Sequence, residues 1–72
     1  MSLTSTEKLF PASSNVRRIK FIEPSTLEVE YTGGTYRYKG VPRQVYDHAV
    51  EALSIGEFLN QNVKKHYEYS KV

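Results

Sequence analysis

The sequence predicts an α+β domain, a three-stranded antiparallel β-meander covered on one face by two short C-terminal helices. Three observations carry that expectation. Two runs of alternating character, residues 27–32 and 35–39, flank the pair Gly33-Gly34. Apolar residues recur at helical spacing after Pro42. Ser54-Ile55-Gly56-Glu57 has the form of a capping box that opens a second helix.

The first strand is expected over residues 15–22, where Ile19 and Phe21 alternate with Arg18 and Lys20. Glu23-Pro24-Ser25-Thr26 follows as a turn, because proline suits an early turn position and small polar residues follow it. A loop over residues 22–26 brings the apolar residues of neighbouring strands to one face. It places Phe21 opposite Leu27, Lys20 opposite Glu28, Ile19 opposite Val29 and Arg18 opposite Glu30. Gly33-Gly34 supplies the positive φ angles of a two-residue hairpin turn. That turn sets Tyr31 against Tyr36, Val29 against Tyr38, Glu30 against Arg37 and Glu28 against Lys39. One face of the meander is then aromatic and apolar, and the other is charged in the order plus, minus, plus.

Pro42 stands where a helix begins without losing a hydrogen bond. Val45, Tyr46, Ala49, Val50 and Leu53 form its inward stripe, with Arg43, Gln44, Asp47, His48 and Glu51 outside. The second helix turns Ile55, Phe58, Leu59 and Val63 inward. Because an isolated sheet with one apolar face is unstable, both helices are obligatory lids. Residues 64–72 alternate charge and tyrosine.

The chain has 72 residues, enough for one domain with a marginal core. Cysteine is absent, so no disulfide or thiolate metal site can reinforce it, while six tyrosines and three phenylalanines supply large buried areas. Residues 1–12, rich in Ser and Thr, are expected to form a flexible N-terminal arm, and residues 13–72 a single domain. The start lacks the basic and apolar character of a secretory signal, and no apolar run approaches the roughly 18–20 residues of a membrane span. The expectation is a cytoplasmic protein with no membrane partner. The formal charge of +2 is a mild excess and says little by itself about a polyanion partner.

Groups suited to catalysis are few. His48 and His66 lie too far apart for metal-ligand spacing, and no carboxylate pair or glycine-rich phosphate loop accompanies them. Ser13-Ser14-Asn15 has no base at a recognisable offset, so its reading is a turn or cap. No catalytic residue, metal or cofactor is expected.

The aromatics are more informative. Tyr31, Tyr36, Tyr38, Tyr67 and Tyr69 are interleaved with Arg37, Lys39, Lys64, Lys65 and Lys71, the ingredients of a surface for single-stranded nucleic acid. The expected register sends Tyr31, Tyr36 and Tyr38 toward the core and sets the strand cations against Glu28 and Glu30. The cations left unmatched are Arg17, Arg43, Lys64, Lys65 and His66. With Tyr67 and Tyr69 for stacking, these form the candidate nucleic-acid-binding set. Lys64 and Lys65 are equally accounted for by the dipole of a helix C-terminus.

In order, Ser13-Ser14-Asn15, Leu27-Glu28-Val29, Tyr36-Arg37-Tyr38, Val41-Pro42, Val45-Tyr46, Ser54-Ile55-Gly56-Glu57-Phe58-Leu59-Asn60, Val63-Lys64 and Tyr67-Glu68-Tyr69 make the chain similar to the KTSC domain. Tyr36 and Tyr38 fall on the Tyr-x-Tyr hallmark of that family; Glu68 stands where it usually has proline. The family occurs at the C-terminus of some lysyl-tRNA synthetases and as stand-alone bacterial or phage proteins. The resemblance implies a small α+β fold and carries over no catalytic residues. Attachment to a tRNA enzyme fits an accessory grip on RNA, tRNA included, and fits a protein-docking module too. The expected function is a non-enzymatic binding module that holds RNA or single-stranded nucleic acid weakly. The alternative is a protein–protein or self-association module.

Overall fold

A computed structural model describes residues 5–72 and builds the domain around a five-stranded sheet. The elements run β1 (Ser5–Leu9), β2 (Val16–Ile22), β3 (Thr26–Tyr31), β4 (Gly34–Lys39), α1 (Arg43–Val50), α2 (Ile55–Asn62) and β5 (Tyr69–Lys71). Spatial order follows chain order, β1-β2-β3-β4-β5, and every neighbouring pair is antiparallel. The α+β class and both helices are as expected; the sheet has five strands where three were expected.

The two additional strands lie at the edges. β1 pairs along β2 from Ser5↔Ile22 to Leu9↔Arg18, so an arm over residues 1–12 is corrected for residues 5–9; residues 1–4 lie outside the described residues. β5 pairs with β4 through Tyr36↔Lys71, Arg37↔Ser70 and Tyr38↔Tyr69. Neither segment has the apolar alternation that marks a half-buried strand. Each is held by backbone pairing, which satisfies N–H and C=O groups that an uncovered edge would leave to water.

The β2–β3 register is the expected one: Arg18↔Glu30, Ile19↔Val29, Lys20↔Glu28 and Phe21↔Leu27. A bulge at Arg17 then sets Val16 against Tyr31. The β3–β4 hairpin differs from expectation. Tyr31 pairs with Gly34, so Thr32 and Gly33 form the connection and every partner moves by two residues. Neither connecting residue has positive φ; Gly34 does, at φ +151, as the first residue of its strand. The glycine's freedom is spent on a strand position that a side chain would crowd. A Cβ on Gly34 would lie 3.1 Å from Lys71 Cε. Because the shift is by two, each side chain keeps its face and changes its partner. Glu28 meets Arg37, Val29 meets Tyr36, and Lys39 faces Thr26 where Glu28 was expected.

The core sits between the helices and the β2–β3 side of the sheet. Ile19, Phe21, Leu27, Val29, Leu59 and Val63 are fully enclosed, with Val16, Val41, Tyr46, Ala49 and Ile55 around them. Tyr46 of α1 meets Phe21 of β2 at 6.0 Å between ring centroids. α1 ends at Val50 with Glu51 as its cap, so Leu53 leaves the expected inward stripe and is wholly exposed. At α2, Ser54 Oγ accepts the Glu57 N–H at 3.4 Å, one half of the expected capping box.

The Ser13-Ser14-Asn15 segment has a structural role. Ser13 Oγ accepts the Val16 N–H at 3.2 Å and donates toward Asn15 Oδ1 at 3.3 Å. Asn15 lies against Gly56 in the first turn of α2, where a Cβ would come within 2.9 Å of its amide oxygen. Only glycine allows that approach without a shift. The start of the helix thereby packs closely against the start of β2.

Candidate functional site

Alternation along β3 and β4 puts Tyr31, Tyr36 and Tyr38 on the helix-bearing face of the sheet. The helices cover the β2–β3 side of that face, and the β4–β5 side remains open. Tyr69, opposite Tyr38, comes up on the same face from β5. The four rings form a closed circuit. Tyr31 and Tyr36 meet edge to face at 5.7 Å, Tyr36 and Tyr69 at 5.4 Å, and Tyr69 is tilted against Tyr38 at 5.6 Å. The Tyr38 and Tyr31 hydroxyls complete it, 3.3 Å apart.

These rings line an open groove of about 440 Å³ together with Gly33 and Lys64. Tyr38 forms its floor, only 2% exposed, and Tyr31 and Tyr36 are half-buried walls. Tyr69 is the lip, 57% exposed. Burial first, and then the contact with Tyr38, hold the Tyr31 phenol well above the usual tyrosine range. Burial also raises Tyr38, against a smaller opposing effect from its hydrogen bond with Tyr31. Both therefore stay neutral at physiological pH, as hydroxyls that can donate and accept.

Two ammonium groups stand at the hairpin end of the groove. Lys64, just beyond α2, holds Nζ 4.9 Å from the centre of the Tyr31 ring, a cation–π contact. Lys71 crosses Gly34, with Nζ 3.7 Å from where a Cβ would be and the Tyr36 ring edge at 3.9 Å from the same point. Since Gly34 is the ladder partner of Tyr31, both lysines converge on one cross-strand pair. Among the described residues neither has an acidic partner; the ion pairs there engage Arg18, Arg37 and Arg43.

The candidate set read from sequence is only partly gathered. Lys64 and Tyr69 are at the groove. Lys65 and His66 are exposed in the segment after α2, while Tyr67 is half-buried against the core and is not among the residues that line the groove. Arg43, expected to be unmatched, reaches Glu23 at 3.6 Å and Asp47 at 3.4 Å. It also lies over Phe21 and Tyr46. It stands over Phe21, whose ladder partner Leu27 lies four residues along β3 from Tyr31 and so toward the other end of the strand. Arg17, on its bulge, shares a cleft with Arg18, Glu30 and Thr32, away from the tyrosines. Tyr31, Tyr36 and Tyr38 line the groove and Lys71 lies beside it over Gly34; all four were outside the candidate set. Period-two alternation at the chain end, Tyr69-Ser70-Lys71, was the signal that puts a ring and a cation on one face.

His48 is exposed on α1, and no group of three or more His, Cys, Asp or Glu among the described residues could hold a metal ion. No helix there is long and apolar enough to cross a membrane.

Comparison with known proteins places this geometry. The KTSC domain model matches residues 12–67. An uncharacterized protein of Stutzerimonas stutzeri (strain A1501) is 40% identical over 63 residues, which is 83% of this chain and 89% of that protein. The crystal structure of a KTSC domain protein from Yersinia pestis superposes with a TM-score of 0.85 at 26% identity. The superposition covers 94% of this chain and 97% of that one.

Proposed function

The chain belongs to the KTSC domain family, and from that premise we propose that it is a non-enzymatic module that binds single-stranded RNA, tRNA segments included, in the tyrosine groove. One observation carries the reading: four packed tyrosines and Lys64 line an open groove, Lys71 lies beside it over Gly34, and neither lysine has an acidic partner among the described residues. Rings accept unpaired bases by stacking, at about 1–3 kcal/mol per base, and ammonium groups take the phosphates. A cationic ligand, the other common occupant of an aromatic cage, is opposed here. Lys64 already covers Tyr31, and Lys71 adds a second like charge.

The test is a salt titration of binding to tRNA and to single-stranded homopolymers. Log affinity is expected to fall linearly with log salt, by about 0.7 per phosphate contact on a single strand. Tyr69→Ala should weaken binding by about 1–3 kcal/mol without unfolding the domain. A folded protein that ignores both polymers at low salt overturns the reading.

A second reading, a protein-docking module, has an observation of its own. Leu53 and Leu9 are exposed on a cleft that also contains Phe10 and Ala52. Sedimentation at two concentrations tests its self-associating form, for which the expected result is a mass that rises with concentration.

A further inference from the structure

We infer that the groove is a single-nucleotide site with a fixed polarity: one phosphate is held between Lys64 and Lys71 at the hairpin end, and its base lies against Tyr69 and Tyr36 at the β5 side. This rests on the RNA-binding reading and specifies how the strand is held.

Polarity follows from the uneven distribution of charge along the groove. Both ammonium groups gather at the Tyr31–Gly34 pair, one 4.9 Å from the Tyr31 ring and the other over Gly34. Thr32-Gly33 adds no acidic side chain at that end. Toward Tyr38 and Tyr69, the groove is lined by rings alone. Tyr69 is the most exposed of them, so it offers the stacking face, while Tyr38 lies beneath it as floor.

Gly34 is a positioning residue in this arrangement. Its missing Cβ leaves room for the Lys71 stem, which a methyl group would meet at 3.1 Å. Its φ of +151 is also one that other residues rarely adopt. Lys64 is positioned by the Tyr31 ring face, which fixes the ammonium and leaves its outward N–H donors for a phosphate oxygen. Occupancy by one nucleotide rests on the single exposed ring, Tyr69, and is compatible with the size of the groove. A space of about 440 Å³ lies within the range of small-ligand pockets, and the circuit of rings offers one exposed stacking face.

The probes are uridine and adenosine 5′-monophosphates, the corresponding nucleosides, inorganic phosphate and a short oligouridylate. They are titrated against the intact protein by amide-resolved NMR. The monophosphates are expected to shift the amides of Gly33, Gly34, Tyr36 and Tyr69, and to bind more tightly than nucleoside or phosphate alone. The Lys64→Ala/Lys71→Ala double variant should lose about tenfold or more in monophosphate affinity. Both side chains are exposed, so the fold is expected to survive, and the dispersion of the NMR spectrum checks it. Oligouridylate binding that is unchanged in the double variant, or monophosphates that shift amides elsewhere, overturns the single-nucleotide site; RNA binding by the domain then stands, with its surface away from the groove. A protein that binds neither monophosphate nor oligouridylate overturns both.

Discussion

On the outer face of the sheet, Arg18 lies 2.9 Å from Glu30 and Arg37 2.8 Å from Glu28. On the opposite face, beyond the cover of the helices, Lys64 and Lys71 flank four tyrosines with no acidic partner among the described residues. The outer pairs come from β2, β3 and β4 and the tyrosines from β3, β4 and β5, so the two faces share β3, β4 and one alternation, and both carry cations. They differ in what stands across from each cation. On the outer face the ladder supplies a carboxylate, and the charge is spent within the protein. In the groove the lysines come from outside the meander, one after α2 and one from β5, so no strand register places a glutamate opposite them. Net charge, only +2 for the chain, does not distinguish the two faces. Pairing does, and the groove is where charge remains for a ligand.

The sharpest way to break this comparison is to remove the floor that joins groove to core. Tyr38 is nearly enclosed, and Tyr38→Ala deletes a ring that touches both. Denaturant unfolding should show a loss of about 3–5 kcal/mol, the range for truncating a buried aromatic. Tyr38→Phe, which keeps the ring and removes only the hydroxyl contact with Tyr31, should recover most of it. If Tyr38→Ala cost no more than a surface substitution, the groove would be a superficial dent and not an extension of the core.

That floor also shows what the sequence discloses. The faces of β2, β3 and β4 were legible because alternation survives a register error of two residues. Tyr38 was expected to be inward and is. Cross-strand partners were less legible, since Gly33-Gly34 offers two adjacent places for the bend, and the positive φ falls on the second, where Lys71 also leaves little room for a side chain. The site was legible in its materials and not in its assembly. Tyr69 and Lys71 reach Tyr36 and Tyr38 only through β5, a three-residue strand fixed by backbone hydrogen bonds. Backbone pairing at an edge leaves no hydropathy pattern. Arg43 was misplaced for a related reason: its partners Glu23 and Asp47 come from a turn and from the next helical turn, not from a ladder.

A smaller effect is expected from alkaline pH. Tyr31 and Tyr38 have folded-state pKa values raised above the ordinary tyrosine value of 10.0. The folded state therefore holds these protons longer than the unfolded chain does. Their contribution to stability is present in full below about pH 10 and is lost as pH climbs from there through the folded values. Unfolding free energy measured across that range should decline, and phenolate absorbance should show at least one tyrosine resisting ionisation until the domain unfolds. Tyr31→Phe should flatten the decline. An unchanged slope would mean that the hydroxyl pair is as well hydrated as the exposed lip.

The smallest effect is expected from the outer face, and its smallness is the informative part. Arg37→Ala removes the 2.8 Å pair with Glu28, but Arg37 is half exposed and such pairs contribute about 0.2–1 kcal/mol. Glu28 is also opposite Lys20 in the β2–β3 ladder, so a second cation is at hand when the guanidinium goes. Stability should fall by no more than about 1 kcal/mol. RNA and nucleotide affinity should stay at the level of the unmodified protein, because a cation already committed to a carboxylate has little left for a phosphate. A loss of affinity as large as that of Lys64→Ala/Lys71→Ala would shift the binding surface to the outer face. It would also show that pairing within the sheet does not silence a cation toward RNA.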